Sequence, residues 1–330
     1  MRARDRRVAL LLVGPWVGAC SDEPKPSPID VESPSWTFST SDTYFSPFEA
    51  EATEPGVPCT ALNDSGLATS PEALTEEAAV ADVEASLVRV PGSAFDMGCT
   101  VSQEPCDADE LPVREIVLTS AYQIGATEVT GAQYEALMGS VPDVTSHCTG
   151  PVHVEWVDAA RLANRMSELT GRAACYWCDA FSCGLVGNPY ACEGYRLPTE
   201  AEWESAARCG TDLRYAGSDD VDLVAWLDSD RHTVAGKAPN GCGLYDMSGN
   251  ASEWIGDTYS TDPIGYDAED LVDPIGVAAG ALRVVRGGRT DGEHYYGGVA
   301  GPEVADRSYE RENQYRDGVR LARTADPYPP

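Results

Sequence analysis

Residues able to do chemistry gather in three stretches of this 330-residue chain. RVVRGGRTDGEHYYGG, Arg283 to Gly298, breaks from an apolar run into glycines, charges, a histidine and two tyrosines. CGLYDMSGNASEW, Cys242 to Trp254, sets Asp246 and Glu253 seven residues apart around a glycine. CYWCDAFSCGLVGNPYAC holds Cys175, Cys178, Cys183 and Cys192, the first pair at zinc-ribbon spacing. The histidines, His147, His153, His232 and His294, lack the i, i+4 or facial-triad spacing of a metal-binding helix. No GxxxxGK[ST] run is present, and a net charge of −31 disfavours a phosphate cradle.

Three helices can be placed around these stretches from capping chemistry. In TEVTGAQYEALMG, Thr130 caps while Gln133 reaches back, and Tyr134, Leu137 and Met138 share a face. In VEWVDAARLANRMSELTGR, Ala159, Leu162, Ala163, Met166 and Leu169 keep helical spacing and Gly171 supplies a stop. In LPTEAEWESAARCG, Pro198 precedes a Thr199/Glu202 capping box and Gly210 closes the helix. The remainder is short strand-like runs, such as REIVLTSAYQIG and LRVVRGG, among many glycines and prolines. The fold class expected is α+β with much irregular coil.

The N-terminal end reads as an export leader. Arg2, Arg4, Arg6 and Arg7 precede VALLLVGPWVGA, an apolar run far short of the roughly 20 residues that span a bilayer. Residues 1–19 are the expected signal peptide. VGAC, Val17 to Cys20, is similar to a bacterial lipobox, which makes Cys20 the expected lipidation site and the outer membrane a destination consistent with Ser21. Residues 20–84, rich in Pro, Ser and acids, read as a tether; its first ~40 residues would have an r.m.s. span of about 35 Å if flexible. Residues 85–325 form the expected domain and 326–330 a tail. With 54 acidic and 23 basic residues, only two of the latter being lysines, the surface repels nucleic acid. Eleven cysteines leave ten after Cys20, an even number in an exported chain, so disulfides are expected ahead of zinc ligation. Cys99 with Cys106 suits a local bridge; Cys59, Cys148, Cys209 and Cys242 have no partner assignable from spacing.

The motifs come in a familiar order. VPGSAFDMGC (90–99), ATEVTGAQY (126–134), PVHVEWVDAARLANRMSELTGR (151–172), YRLPTEAEWESAAR (195–208), APNGCGLYDMSGNASEW (238–254), RVVRGG (283–288) and GVRLAR (318–323) together resemble the formylglycine-generating enzyme, or sulfatase-modifying factor, family. The resemblance is colinear over about 235 residues and implies an elaborated C-type-lectin-like fold with little regular secondary structure.

Members that make formylglycine oxidise a sulfatase cysteine in a C-x-P-x-R motif, using O2 and copper(I) on two cysteines that follow an R-G-G stretch. Here the corresponding positions are Gly292 and Gly297. Soft copper(I) needs thiolate or thioether donors, so copper is not expected and no catalytic residue is assigned. A calcium site is implied at Asp246, the Gly249 and Ala251 carbonyls, and Glu253, an oxygen set that suits Ca2+; Ser252 stands where the family has tryptophan. Arg196, Glu200, Glu202, Trp203 and Arg208 are expected to join their helix to the core, with Trp254 filling it. Arg286 and Arg320 either join that framework or face a binding cleft. Tyr295 and Tyr296 serve equally as core or as recognition surface. The function expected is an envelope lipoprotein with a noncatalytic binding or scaffold domain, its partner an envelope protein or glycan. The alternatives are a formylglycine-generating oxidase or another oxidase on the same frame.

Overall fold

Capping boxes and β-pairing account for the regular elements of the computed structural model, which describes residues 73–140, 148–228, 230–260, 271–276, 280, 282–288, 301–312 and 317–325. The signal peptide, Cys20, most of the tether, Gly292, Tyr295, Tyr296 and Gly297 lie outside the described residues. In chain order the elements are α1 (Glu76–Ala85), β1 (Leu87–Val90), β2 (Ala94–Met97), β3 (Arg114–Val117), β4 (Tyr122–Gly125), α2 (Gly131–Met138), α3 (Trp156–Leu169), β5 (Tyr176–Cys178), β6 (Cys183–Leu185), β7 (Tyr195–Arg196), α4 (Glu200–Arg208), β8 (Glu253–Thr258), β9 (Leu282–Arg286), β10 (Ser308–Arg311) and β11 (Ala322–Thr324).

The two capping boxes form as expected. Thr130 accepts from the Gln133 amide and Gln133 from the Thr130 amide at the start of α2. Thr199 and Glu202 do the same for α4. In α3, Ala159, Leu162, Ala163 and Met166 are buried, while Leu169 is half-buried. Cys209 and Gly210 both take positive φ after α4, so Gly210 has help in ending the helix.

Helix α1 corrects the tether boundary at 84. Its sequence, EEAAVADVEA, buries only Ala79 and Val83, one turn apart, beneath an acidic surface. So thin an apolar stripe gives almost no amphipathic signal. Thr75 caps it through the Ala78 amide, and it packs on α2.

Four strands pair antiparallel in the order β1-β4-β11-β7, with Val88 opposite Ile124 and Ile124 opposite Ala322. Three more pair as β10-β9-β8, and β2–β3 and β5–β6 form two-stranded ribbons. One apolar core lies under α1, α2 and α3 and contains Trp156, Tyr195 and Trp254. A second gathers Ile116, Ile124, Trp203, Met247 and Val284 beneath α4. The large coil content follows from short strands and from four disulfides: Cys99–Cys106, Cys175–Cys192, Cys178–Cys183 and Cys209–Cys242. The CYWC cluster is thus bridged internally, as expected for disulfides.

Candidate functional site

Helix α4 is buried along its whole length, glutamates included, because every one of those acids has an arginine. Arg196 donates to both Glu202 oxygens at 2.6 and 2.7 Å. Arg307 grips Glu200 with two bonds of 2.8 Å. Glu204 receives Arg208 at 2.7 and 2.9 Å and, from strand β9, Arg286. A buried carboxylate is tolerable only when paired in this way. The expected framework role of Arg196, Glu200, Glu202 and Arg208 is therefore met, and Trp254 is fully buried in the core.

Arg286 and Arg320 belong to the same framework and not to a cleft. Arg286 is fully buried and also donates to the carbonyls of Val304, Ala305 and Asp306. Arg320, equally buried, donates to both Glu253 oxygens and to the carbonyls of Gly125 and Tyr245. Guanidinium groups held in the core by carboxylates and carbonyls, with Arg286 Nε left without a hydrogen bond but 3.9 Å from Glu200, do not face a cleft. The cleft reading of these two residues is corrected accordingly.

The loop 246–252 is held in an unusual path by its neighbours. Asp246, Gly249 and Asn250 all take positive φ. The Gly249 amide donates to the Gly287 carbonyl at 2.8 Å, and the Asn250 amide to the Trp226 carbonyl at 3.0 Å. A Cβ on Gly249 would come within 2.3 Å of that Trp226 oxygen, so only glycine fits. The loop therefore rests directly against the R-G-G turn, where Gly287 and Gly288 also take positive φ. His232 stacks on Trp226 with ring centres 3.9 Å apart and bonds Asp228, while Lys237 lies 4.2 Å over the same indole and donates to the Asp222 carbonyl.

Whether these residues suit a cation is decided by their open valences. Asp246 uses one oxygen to accept the Ala235 amide at 2.6 Å, and its Oδ1 is buried without a partner. Glu253 has two acceptor bonds on each oxygen, from Arg320 and, on Oε2, from Trp203 Nε1 at 2.8 Å. Glu128, which sequence reasoning missed, is 1 % exposed with neither carboxylate oxygen hydrogen-bonded. Its only sequence signal was an acid in an otherwise apolar and small run just before a helix cap. Burial pushes its pKa well up, and Asp246 adds to the push while Arg320 opposes it. Orphaned buried oxygens of this kind fit a hard cation.

A second group of acids brings Glu110 and Asp306 together near Arg286. Burial raises Glu110 to about 7 against the help of the Asp107 amide, with Asp306 adding and Arg286 subtracting. Burial raises Asp306 to about 6 despite its bond from the Gly301 amide. Among the described residues, only Cys99, Cys106 and Glu110 bring three ligand-type side chains within 4.8 Å, and there the two sulfurs are bonded to each other. A groove of about 1070 Å³ walled by Phe95, Val101, Leu111 and Val113 is lined by none of residues 246–253 or 286–288.

These features agree with comparisons to known proteins. A family model for the sulfatase-modifying factor enzyme 1-like domain matches residues 71–325, and the chain belongs to that family. It is similar to the formylglycine-generating enzyme of Streptomyces coelicolor, 31% identical over 252 residues, covering 61% of this chain and 77% of that one. It is also similar to a serine/threonine-protein kinase pkn1 of Chlamydia pneumoniae, 31% identical over 234 residues, covering 66% of this chain. The match spans only about a third of that relative, 35% of its length. Among solved structures, Treponema denticola variable protein 1 superposes with a TM-score of 0.58 at 26% identity, covering 72% of this chain and 95% of the other. The domain match starts at residue 71, in keeping with α1.

Proposed function

We propose that this chain is a lipid-anchored protein of the bacterial cell envelope whose sulfatase-modifying-factor-like domain is a noncatalytic binding or scaffold module. The observation that carries the reading is glycine at 292 and 297, where the resemblance calls for the copper-holding cysteines. Two glycines offer no side-chain donor to a soft metal. Eight of the nine described cysteines are joined in disulfides, so a substitute thiolate pair drawn from them would require a bridge to be reduced. A fold does not fix its chemistry, so the frame shared with Treponema denticola variable protein 1 is compatible with a role other than oxidation.

The partner, an envelope protein or glycan, is met by the loop beyond Gly288, with Tyr295 and Tyr296 as its stacking surface. Calcium steadies the 246–253 loop, on which the R-G-G turn rests. Cys20 carries the lipid.

Mass spectrometry of a C-x-P-x-R peptide incubated with the mature chain, copper(I), O2 and reductant tests the noncatalytic reading. No aldehyde product is expected; conversion above a metal-only control overturns it in favour of a formylglycine-generating oxidase.

A further inference from the structure

Among the disulfides of the described residues, one has a carboxyl group at hand. A Glu110 oxygen and the sulfurs of Cys99 and Cys106 all lie within 4.8 Å of one another, and no carboxylate among the described residues does this for another bridge. Glu110 is 6 % exposed, and its Oε2 accepts the Asp107 amide at 3.1 Å. Cys99 is buried while Cys106 is half-buried, and both line the groove walled by Phe95, Val101, Leu111 and Val113. An attacking thiol therefore reaches Cys106 Sγ more readily, which makes Cys99 the leaving sulfur, the one enclosed with the acid. The bridge joins residues only seven apart, and other bonds hold the chain around it. The Gly98 amide donates to Glu204 at 2.9 Å, and Arg208 donates to the Gly98 carbonyl at 2.6 Å. The Cys99 amide donates to the Glu110 carbonyl at 3.0 Å, and Gln103 Nε2 to the Leu213 carbonyl at 3.1 Å. Opening the bridge thus leaves the groove standing.

We propose that Cys99–Cys106 is a thiol–disulfide exchange site, with Glu110 as its proton donor and a dithiol peptide carrying apolar side chains as its substrate. The substrate thiolate attacks Cys106 Sγ and forms an intermolecular S–S bond. The Cys99–Cys106 bond breaks, and its electron pair goes to Cys99 Sγ, which takes the Glu110 proton. The substrate's second thiol then gives its proton to the Glu110 carboxylate and attacks the substrate sulfur of the mixed disulfide. Cys106 leaves as a thiolate and takes from water the proton that the first thiol released. The substrate dithiol is oxidised by two electrons to a disulfide, and the protein's bridge is reduced to two thiols. One bridge is consumed per substrate, so the transfer is stoichiometric. Valine 101, 86 % exposed at the groove, gives the substrate's apolar side chains a surface to cover. The groove is lined by none of residues 286–288, so the site stands whether or not the R-G-G turn supports an oxidase. Burial raises Glu110 to about 7; the Asp107 amide and Arg286 oppose the rise, and the Asp306 and Asp107 charges add to it. Below that value the carboxyl holds the proton that Cys99 needs, and above it the donor is lost.

The test treats the oxidised mature chain with dithiothreitol between pH 6 and pH 8.5 without denaturant. Opened bridges are trapped by alkylation and mapped by mass spectrometry, and each rate is divided by the thiolate concentration. Cys99–Cys106 is expected to open about tenfold faster than Cys209–Cys242, which lines the same groove without an acid at its sulfurs. Its rate per thiolate is expected to fall as pH rises through 7. Glu110→Gln, which keeps an oxygen for the Asp107 amide, is expected to lose about tenfold in rate at pH 6 and to show no fall. Should that variant fold poorly, Asp306→Asn is measured instead; it removes a charge that raises Glu110, so the fall is expected to move to lower pH. A peptide with two cysteines among leucines is expected to be oxidised faster than one with the cysteines among aspartates. A Cys99–Cys106 bridge that opens no faster than Cys209–Cys242, or a wild-type rate per thiolate that is flat across pH 7, overturns the exchange site. Equal rates for the two peptides overturn the substrate assignment.

Discussion

Arginine 320 shows what a single side chain carries here. It closes on Glu253, Gly125 and Tyr245 at once, so its removal leaves a buried carboxylate and two carbonyls unanswered. Breaking such a pair from one side costs roughly 3–5 kcal/mol. Arg320→Gln is therefore expected to lower the unfolding free energy by that amount, read as a lower urea midpoint at unchanged slope, while loss of the solvent-facing Arg165, which bridges Glu76 and Glu168, is expected to cost about 1 kcal/mol or less. The pairing of Arg196, Glu202 and Arg208 with the core was legible in the sequence because these residues sit at motif positions around a capping box. That of Arg286 and Arg320 was left open, because nothing local decides which way an arginine at a strand end points. Glu128 was missed for a related reason: an orphaned acid is defined by what does not reach it, and that is a property of the packed state.

At the level of elements, caps and bridges do work that short strands cannot. Thr199 caps α4, and its hydroxyl also meets the Tyr190 hydroxyl at 3.1 Å. Thr199→Ala is expected to cost about 1–2 kcal/mol in equilibrium unfolding. Cys209–Cys242 ties the end of α4 to the loop that leads into GLYDM across 33 residues. Replacing both cysteines with serine is expected to lower stability by roughly 2–4 kcal/mol, read from the denaturant midpoint under oxidising conditions. Helices α2 and α4 were legible because their capping boxes are encoded within four residues, and α3, whose N-cap Glu155 makes no side-chain cap bond, because its apolar residues keep helical spacing up to Gly171. Helix α1 was not, since its two buried residues, Ala79 and Val83, gain meaning only from the α2 face they meet. Strand order was likewise hidden: β4 pairs with β11, almost 200 residues later, and no local pattern announces such a partner.

Across the whole molecule, the acids set a pH dependence of unusual sign. Glu110 titrates near 7 and Asp306 and Asp257 near 6 in the fold, each raised chiefly by burial, against ordinary values of about 4. Between those values the folded chain holds protons that the unfolded chain has released, so stability present at pH 5 is lost as pH rises through 6 to 7. Melting of the mature chain is expected to fall from pH 5 to pH 8, and Glu110→Gln to flatten the upper part of the curve. The acids with lowered values, Glu204 and Asp212, titrate below this window and do not offset it. At the same scale, Cys20→Ser is expected to move the protein from the membrane to the soluble envelope fraction. One consequence of the cation over the Trp226 indole is practical. Lys25 and Lys237 are the chain's only lysines, so an amine-reactive dye has few addresses. Attached at Lys237, it would sit beside the tryptophan that holds Asn250. The native chain thereby provides its own labelling position for watching the loop in real time, with no engineered thiol to disturb the disulfides.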